Sequence, residues 1–353
     1  MGAGSIAYAN YLYQTYIIGA FHNFPEEVGE LALSTQWTVK LRRALYYTNT
    51  SLEPKQALKY YKQALEIADE LGMDPFSDEI MGVKIQVAAL MERIQNYPKA
   101  IEVLEILRSD CIKWEAELGG LERNIGKRTR VLAKTVAISV KLGELYANPY
   151  IHEPEQAQER LVWAVEMILK EKQRRETEGV KEGEGGWISD EDLGASLEAL
   201  AHSYEEKDQH YLATPLFLQA LSLKEKNDCH SVVLMNNLSI SLAQQSPKLA
   251  SAIAASATGP PTSRAAMVDN AKQWAQKALD VAAGLAPPER DEECDMGCAV
   301  ATHNLGEFAE MNGDFAEAKR RYQEAASLAK AIGFTEGQQN SAEGLKRVKK
   351  AAP

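Results

Sequence analysis

The sequence predicts an all-α fold, a right-handed superhelix of antiparallel helix pairs with about six pairs and a C-terminal capping helix. The composition favours helix, since Ala, Leu, Glu, Lys and Gln dominate a chain of 353 residues that is 45% hydrophobic and 25% charged. Runs with the period-two alternation of β-strands are nearly absent. A pattern of small and large apolar residues also recurs six times along the chain.

The last helix pair shows this pattern most clearly, within residues 304–325. Gly306 and Ala318 are small, which allows the two helices to approach closely. Phe315 and Tyr322 are large and fill the space beside that contact. The spacing therefore predicts two helices packed through a seam of small residues.

The turn inside this pair is also predictable. Gly313 tolerates the left-handed conformation that ends a helix, and Asp314 is a favourable N-cap for the next one. With this turn, residues 304–325 resemble the tetratricopeptide repeat (TPR) at nearly every defining position. The resemblance implies an α-solenoid built from helix pairs.

The same grammar of small and large residues recurs upstream. Each gap between equivalent positions exceeds the roughly 34 residues of a standard repeat, so we expect extended helices or inserted linkers. The small residue of the second helix recurs at Ala57, Ala100, Ala157, Ala213, Ala271 and Ala318.

The repeat pattern divides the chain into three parts. Residues 1–36 are expected to be an N-terminal helical segment, 37–333 the solenoid, and 334–353 a capping helix with a short tail. Two interruptions are predicted as flexible loops. They are the charged, glycine-rich stretch at 171–190 and the Ser/Ala/Pro/Gly stretch at 246–268.

Charge and hydropathy narrow the function. A net charge of −11 disfavours sequence-independent nucleic-acid binding, although residues 40–43 and 346–350 are locally basic. No run of about twenty apolar residues is present, so we expect no membrane span within the chain. Residues 1–5 resemble a cloning remnant, and we expect the natural N-terminus, with any anchor, to lie upstream.

The four cysteines, Cys111, Cys229, Cys294 and Cys298, are too few for a disulfide framework in a chain of this length. The spacing of Cys294 and Cys298, with His303 following, matches no established zinc pattern. We therefore predict ordinary thiols and no metal site. A Cys294–Cys298 disulfide would require an oxidising compartment.

No catalytic motif is found, since the sequence has no glycine-rich phosphate loop, no GxSxG and no HExxH. The carboxylate pairs Glu205–Glu206 and Glu292–Glu293 are expected to be solvated. The protein is accordingly predicted to be no enzyme and to need no cofactor. The six histidines look scattered, at His22, His152, His202, His210, His230 and His303.

In a solenoid of this type, the first helix of each pair lines a concave groove. Residues on the free face of that helix are candidates for contact with a protein partner, and a solvated helix face is the alternative for each. Together they describe a polar groove with no single charge sign. The candidates are Arg42, Tyr46, Gln86, Lys141, His202, Asn237, Ser241 and Asn304.

One specific ligand can be tested against the sequence. The chaperone-binding TPR subfamily clamps a C-terminal carboxylate with Lys, Asn and Arg side chains. Asn237 and Asn304 occupy the asparagine position of that clamp. Glu198, Val300 and Ala137, however, stand at other key positions of the clamp. The full clamp is therefore absent.

Residues 40–49, 60–79 and 236–243 resemble a fungal family of mitochondrial TPR proteins. That family includes the adaptor subunit of the i-AAA protease complex of the inner membrane, and the likeness covers about residues 24–348. The resemblance implies a membrane anchor upstream of this chain and a repeat domain that faces the intermembrane space. It also implies binding of unfolded membrane-protein substrates.

We therefore predict a non-catalytic adaptor that recruits unfolded or membrane-protein substrates to a mitochondrial inner-membrane AAA protease. Its expected partners are the protease complex and unfolded proteins, and it touches the membrane only through a segment absent from this chain. The alternative is a TPR scaffold or co-chaperone, cytoplasmic if not mitochondrial, that binds one specific protein or peptide.

Overall fold

The structure is a computed structural model that describes residues 35–246 and 263–351. The predicted segment 1–36 lies almost entirely outside the described residues, as does most of the predicted loop 246–268. The described part of the chain contains thirteen α-helices and no strand, which confirms the all-α prediction. It forms two compact units that divide between Ile188 and Ser189, called unit 1 and unit 2 below.

Unit 1 contains three helix pairs, in which α1 packs on α2, α3 on α4 and α5 on α6. A π-turn at Glu115–Gly119 and a 3₁₀ turn at Glu122–Asn124 join the second pair to the third. The helices are α1 Thr35–Asn49, α2 Pro54–Glu70, α3 Asp78–Arg93, α4 Tyr97–Trp114, α5 Ile125–Ala147 and α6 Pro154–Glu178.

Unit 2 contains three more pairs and a final helix, α13, that packs on α12 and α11. The six predicted pairs and the C-terminal capping helix are thus confirmed. The helices are α7 Asp190–Glu205, α8 His210–Ser222, α9 Cys229–Gln244, α10 Arg264–Gly284, α11 Glu292–Met311, α12 Phe315–Ala331 and α13 Thr335–Ala351. The first helices of the six pairs, α1, α3, α5, α7, α9 and α11, are called the A helices below.

The seam of small residues explains why these helices pair. All six predicted alanines, from Ala57 to Ala318, are completely buried. A Cβ added to Gly143 would lie 2.5 Å from Leu161 Cγ, and one added to Gly306 would lie 2.9 Å from the Tyr322 ring. The helix backbones are therefore as close as a missing side chain allows.

The local turn predictions are also confirmed. Gly313 has φ +78°, the left-handed region that glycine tolerates. Asp314 then caps α12, because its side chain accepts a hydrogen bond from the Glu317 backbone N–H. The last helix pair is thus specified locally by its own sequence.

The predicted loop at 171–190 is wrong in its first part, because α6 continues to Glu178. The best-buried charged residues of this stretch pair with one another. Glu171, only 4% exposed, lies 2.6 Å from Arg174 and 3.1 Å from Arg175, three and four residues along the helix. Arg174 also holds Glu184 at 2.6 Å, which anchors the glycine-rich segment that follows.

The predicted loop 246–268 also extends too far. Helix α10 begins at Arg264, with Ser263 as its N-cap. Met267 and Val268 are 4% and 1% exposed. Their burial against the core outweighs the loop-like composition of the residues before them.

The cysteine prediction requires correction. Cys229, the first residue of α9, forms a disulfide with Cys294 in the first turn of α11, across a Cα–Cα distance of 4.6 Å. The prediction of ordinary thiols is therefore wrong for Cys229 and Cys294, whereas Cys298, one turn further along α11, is a free thiol. Asp291 approaches both bonded sulfurs within 4.8 Å, but sulfurs bonded to each other are not thiolate ligands.

Within residues 35–246 and 263–351, no helix is both long enough and apolar enough to cross a membrane.

Candidate partner-binding face

Among the described residues, the A helices of each unit carry a cluster of ionisable side chains around one buried residue, Lys141 in unit 1 and Glu198 in unit 2. In unit 1 the lysine cluster consists of Lys141, Glu92 and Glu144. In unit 2 the histidine cluster consists of Glu198, His202, His230, Glu205 and Glu293. Each cluster includes one residue that the sequence predicts for partner binding, Lys141 in unit 1 and His202 in unit 2.

The lysine cluster joins α3 to α5. Lys141 Nζ lies 2.9 Å from Glu92 Oε1 and 3.3 Å from Glu144 Oε2, and the lysine side chain is only 9% exposed. Lys141 and Glu144 reach each other because they stand three residues apart on one helix face. A single ammonium thus serves two carboxylates.

Burial raises the pKa of Glu144 to about 7, against the opposing effect of Lys141. Burial would lower the pKa of Lys141, but Glu144 and Glu92 outweigh it and raise that pKa. The lysine therefore stays charged near neutral pH. The cluster changes between a net charge of zero and −1 as Glu144 loses its proton.

The centre of the histidine cluster has the opposite arrangement. Glu198 on α7 lies 2.9 Å from His230 Nε2 on α9 and 3.6 Å from His202 Nε2 on its own helix. The Glu198 side chain is 6% exposed. A single buried carboxylate thus serves two imidazoles.

Two further carboxylates complete the histidine cluster. Glu205 lies 3.2 Å from His202 Nδ1, and Glu293 on α11 lies 3.1 Å from His230 Nδ1. The expectation that Glu205 and Glu293 are merely solvated is therefore wrong. Two of the histidines that look scattered in the sequence meet here because α7, α9 and α11 bring them together.

The contacts between the two imidazole rings and the carboxylates keep the histidine cluster ionised at neutral pH. Burial alone would raise the pKa of Glu198, but hydrogen bonds from His202 and His230 outweigh it and lower that pKa to about 2. Burial would likewise lower the histidine pKa values. Bonds to Glu198 and to the outer carboxylates raise them instead, to about 9 for His202 and about 10 for His230.

Part of the histidine cluster can be reached from solvent. The His202 side chain is 32% exposed and the Glu293 side chain 30% exposed. The half-buried Asn237 directs its Nδ2 to within 3.4 Å of both Glu198 Oε1 and His202 Nε2. The edge of the cluster therefore offers hydrogen-bonding groups already held in place by buried partners.

The structure brings two of the eight predicted site residues, His202 and Asn237, into contact. Arg42 and Tyr46 lie on α1 in unit 1, both exposed, with Tyr46 at 53%. These four residues have the accessibility that a partner contact requires.

The expectation of a solvated helix face is wrong for the other four. Gln86, Lys141, Ser241 and Asn304 are 5%, 8%, 0% and 4% exposed. Their helices are covered on more sides than a single helix wheel suggests. Ser241, for example, donates a hydrogen bond to the His210 carbonyl of α8 at 3.3 Å. Whether any of the eight contacts a partner stays a prediction.

In the sequence, Glu198 stands out only because it occupies a key position of the carboxylate clamp and is incompatible with that clamp. Its spacing of four from His202 was the available signal, because residues i and i+4 share a helix face. No comparable signal existed for His230 or Glu293. They lie 32 and 95 residues from Glu198 in the sequence, and helix packing alone brings His230 to Glu198 and Glu293 to His230.

Comparison with known proteins shows which proteins this chain is similar to. No protein-family profile matches the sequence. A TPR repeat-containing protein of Schizosaccharomyces pombe is 28% identical over 299 residues, which cover 84% of this chain and 73% of that protein.

Among solved structures, BtubC (BKLC) from P. vanneervenii is similar with a TM-score of 0.51 and 15% identity, over 81% of this chain and 93% of that one. A putative kinesin light chain with TPR-like repeats from Podosopora anserina has a TM-score of 0.45 and 16% identity, over 70% of this chain and 94% of that one.

The helix pairs, the buried seam alanines and the likeness to BtubC show a TPR-like α-solenoid fold, and the similarity to the Schizosaccharomyces pombe protein agrees with it. TPR repeat proteins are generally non-catalytic scaffolds, and their fold generally binds protein partners. The resemblance to the i-AAA adaptor family is not confirmed by these comparisons and stays a prediction.

Proposed function

We propose that this TPR repeat protein is a non-catalytic adaptor that holds a protein segment on the A-helix face of unit 2, at the histidine cluster. The observation that carries the proposal is the half-exposed edge formed by His202 and Asn237, which is held from behind by the buried Glu198. A segment laid across this edge would meet fixed donors and acceptors, which reduces the entropy lost on binding.

The cluster is costly to maintain in a scaffold that has no use for it. Buried ion pairs seldom add more stability than well-packed apolar residues of similar volume, because their desolvation opposes the Coulomb attraction. Five ionisable side chains on three helices therefore favour a recognition role for this face.

The finer proposal is that the adaptor recruits unfolded or membrane-protein substrates to an AAA protease of the mitochondrial inner membrane, on the intermembrane-space side. Two observations support it. Residues 40–49, 60–79 and 236–243 resemble the adaptor family. The Cys229–Cys294 disulfide is typical of a compartment that allows oxidation, rather than the cytosol.

The recruitment role is tested by purification of the tagged protein from crosslinked mitochondria. We expect an AAA protease and incompletely folded membrane proteins to be recovered together with it. Localisation elsewhere, with no protease recovered, would remove the finer proposal. The scaffold alternative instead predicts tight binding of one defined peptide and no preference for unfolded proteins.

The role of the unit 2 face is tested separately, with a chemically unfolded reporter protein in a binding assay. The double variant His202→Ala, Asn237→Ala should weaken binding about tenfold or more, because it removes two anchoring polar groups. The matched control is Asn49→Ala, Gln56→Ala, at two exposed positions of unit 1. Equal loss in both variants would contradict a specific role for this face.

A further inference from the structure

Basic charge is concentrated at the start of the described chain. Residues 35–65 contain six basic side chains and one acidic side chain, for a net charge of +5. The whole chain has a net charge of −11, so the remainder carries −16. The adaptor function proposed above does not use this segment, which forms α1 and most of α2.

The outward side of α1 combines these charges with apolar groups. Val39, Arg42, Arg43 and Tyr46 follow the spacing of one helix stripe, and all four are exposed, Val39 to 43% and Tyr46 to 53%. Three exposed side chains continue the surface on α2. Two of them, Lys55 and Lys59, are basic, and Leu58 is aliphatic.

Aromatic rings connect the two helices. The Tyr47 and Tyr60 rings stack at 5.7 Å with an interplanar angle of 3°, and Tyr46 meets Tyr47 edge-on at 5.3 Å. Lys40 Nζ and the Arg43 guanidinium lie 5.8 Å and 5.7 Å from the centre of the Tyr60 ring. We call this surface, from α1 and the first half of α2, the basic–aromatic face.

The cations of this face have no carboxylate partner among the described residues, apart from Lys62, which lies 3.7 Å from Glu66. Several other arginines of unit 1 pair with carboxylates, for example Arg160 with Glu105 at 2.7 Å. The cations of this face that lack a carboxylate partner within 35–246 and 263–351 are Lys40, Arg42, Arg43, Lys55 and Lys59. Their charge is therefore available to an external anionic surface.

We propose that the basic–aromatic face binds the anionic surface of a phospholipid membrane, as a peripheral contact. Long basic side chains interleaved with tyrosine are the composition that anchors proteins at the headgroup level. The ammonium and guanidinium groups meet phosphate, while the rings and aliphatic stems lie in the interface. This proposal does not depend on the adaptor role.

The charge of the rest of the chain favours a membrane over the other anionic macromolecules. A nucleic acid extends beyond one small face and would meet the remaining charge of −16. A membrane presents its anionic groups in one plane. The same repulsion then orients the protein, with the basic–aromatic face toward the lipid and the acidic regions away from it.

The test is cosedimentation of the whole protein with vesicles of phosphatidylcholine containing about a third phosphatidylserine, and with vesicles of phosphatidylcholine alone. We expect binding to the anionic vesicles only, weakened by salt. Each cation near the surface contributes about fivefold in partitioning. The triple variant Lys40→Gln, Arg42→Gln, Arg43→Gln should therefore bind about a hundredfold more weakly.

The matched control is Lys113→Gln, Lys170→Gln, Lys181→Gln, which removes the same net charge from other exposed positions of unit 1. It should bind as the parent protein does, and thermal melts verify that both variants fold. Equal losses in the two triple variants would overturn the proposal, as would no binding to anionic vesicles. If the parent protein binds polyglutamate, and phosphatidylserine vesicles do not compete for that binding, the face is assigned to an acidic protein segment instead.

Discussion

Unit 1 and unit 2 bury opposite arrangements of charge on their A helices. In unit 1 one lysine, Lys141, lies between Glu92 and Glu144. In unit 2 one carboxylate, Glu198, lies between His202 and His230. The helix-pair fold therefore accepts either sign at its centre, since the seams of small residues determine the packing and leave these positions free to vary.

The two arrangements differ in how they respond to pH. Glu144 has a raised pKa, so the folded state retains a proton that the unfolded state has already lost. His202 and His230 also have raised pKa values, but their favourable form is the charged one. Unit 1 should lose part of its stability as the pH rises from about 4.5 to about 7. In unit 2 the histidine contribution should be lost as the pH rises from about 6.5 to about 10, and the Glu198 contribution as the pH falls from about 4.5 to about 2.

The largest expected effect is that of Glu198→Gln. The change leaves His202 and His230 without their shared carboxylate and should lower the free energy of unfolding of unit 2 by about 3–5 kcal/mol. Urea unfolding at pH 7, with hydrogen exchange to follow each unit, measures it. Glu191→Gln on the exposed face of α7 is the control and should change stability by less than about 0.5 kcal/mol. An equally small effect of Glu198→Gln would show that the cluster is not ionised.

Loss of the disulfide should have the next largest effect. The Cys229–Cys294 bond restricts the unfolded chain over a sequence separation of 65 residues. The double variant Cys229→Ser, Cys294→Ser should destabilise unit 2 by about 2–4 kcal/mol and leave unit 1 unchanged. Hydrogen exchange in the two units measures the difference, and Cys298→Ser is the control. Equal loss of protection in both units would contradict the prediction.

The third largest effect is expected from filling a seam of small residues. Gly306→Ala would place a Cβ 2.9 Å from the Tyr322 ring and should cost about 1–3 kcal/mol. Gly284, also in unit 2, has open space around its Cα. Gly284→Ala should therefore be neutral or stabilising by up to about 1 kcal/mol. Thermal melts of the two variants would measure this difference, and an unchanged Tm for Gly306→Ala would mean that the seam yields.

The smallest expected effect is the pH response of unit 1. The folded-state pKa of Glu144 lies above its unfolded value, so its contribution is complete below pH 4.5 and falls as the pH rises through about 7. Glu144→Gln should flatten this response by less than about 1 kcal/mol, because the side chain is partly exposed. Unfolding of the parent and the variant at pH 5, 6, 7 and 8 tests it. A parent profile that is already flat would exclude Glu144 as the titrating group.

The seams were predictable because each depends on a few residues that lie close together in the sequence. Ala318 and Gly306 repeat a pattern of sizes, and Gly313 and Asp314 repeat a pattern of turn preferences. The boundaries at Glu178 and Arg264 were less predictable. Near Glu178, the charged composition was outweighed by the pairing of Glu171 with Arg174 and Arg175. Near Arg264, the loop-like composition was outweighed by the burial of Met267.

The candidate site was predictable only in part. A helix wheel identified His202 and Asn237, since both lie on the outer side of their helices. The same wheel misplaced Ser241 and Asn304, because it shows one helix at a time and ignores the neighbouring helices that cover them.

By itself, the sequence determined six helix pairs, their seams and the final capping helix, because these depend on size and propensity repeated at short range. Only the tertiary structure decided which charges and cysteines meet. Glu198, His230 and Glu293 belong to three helices, and Cys229 pairs with Cys294 rather than leaving Cys294 beside Cys298. Such contacts depend on how the helices stack, a relation between residues far apart in the chain that no local pattern encodes.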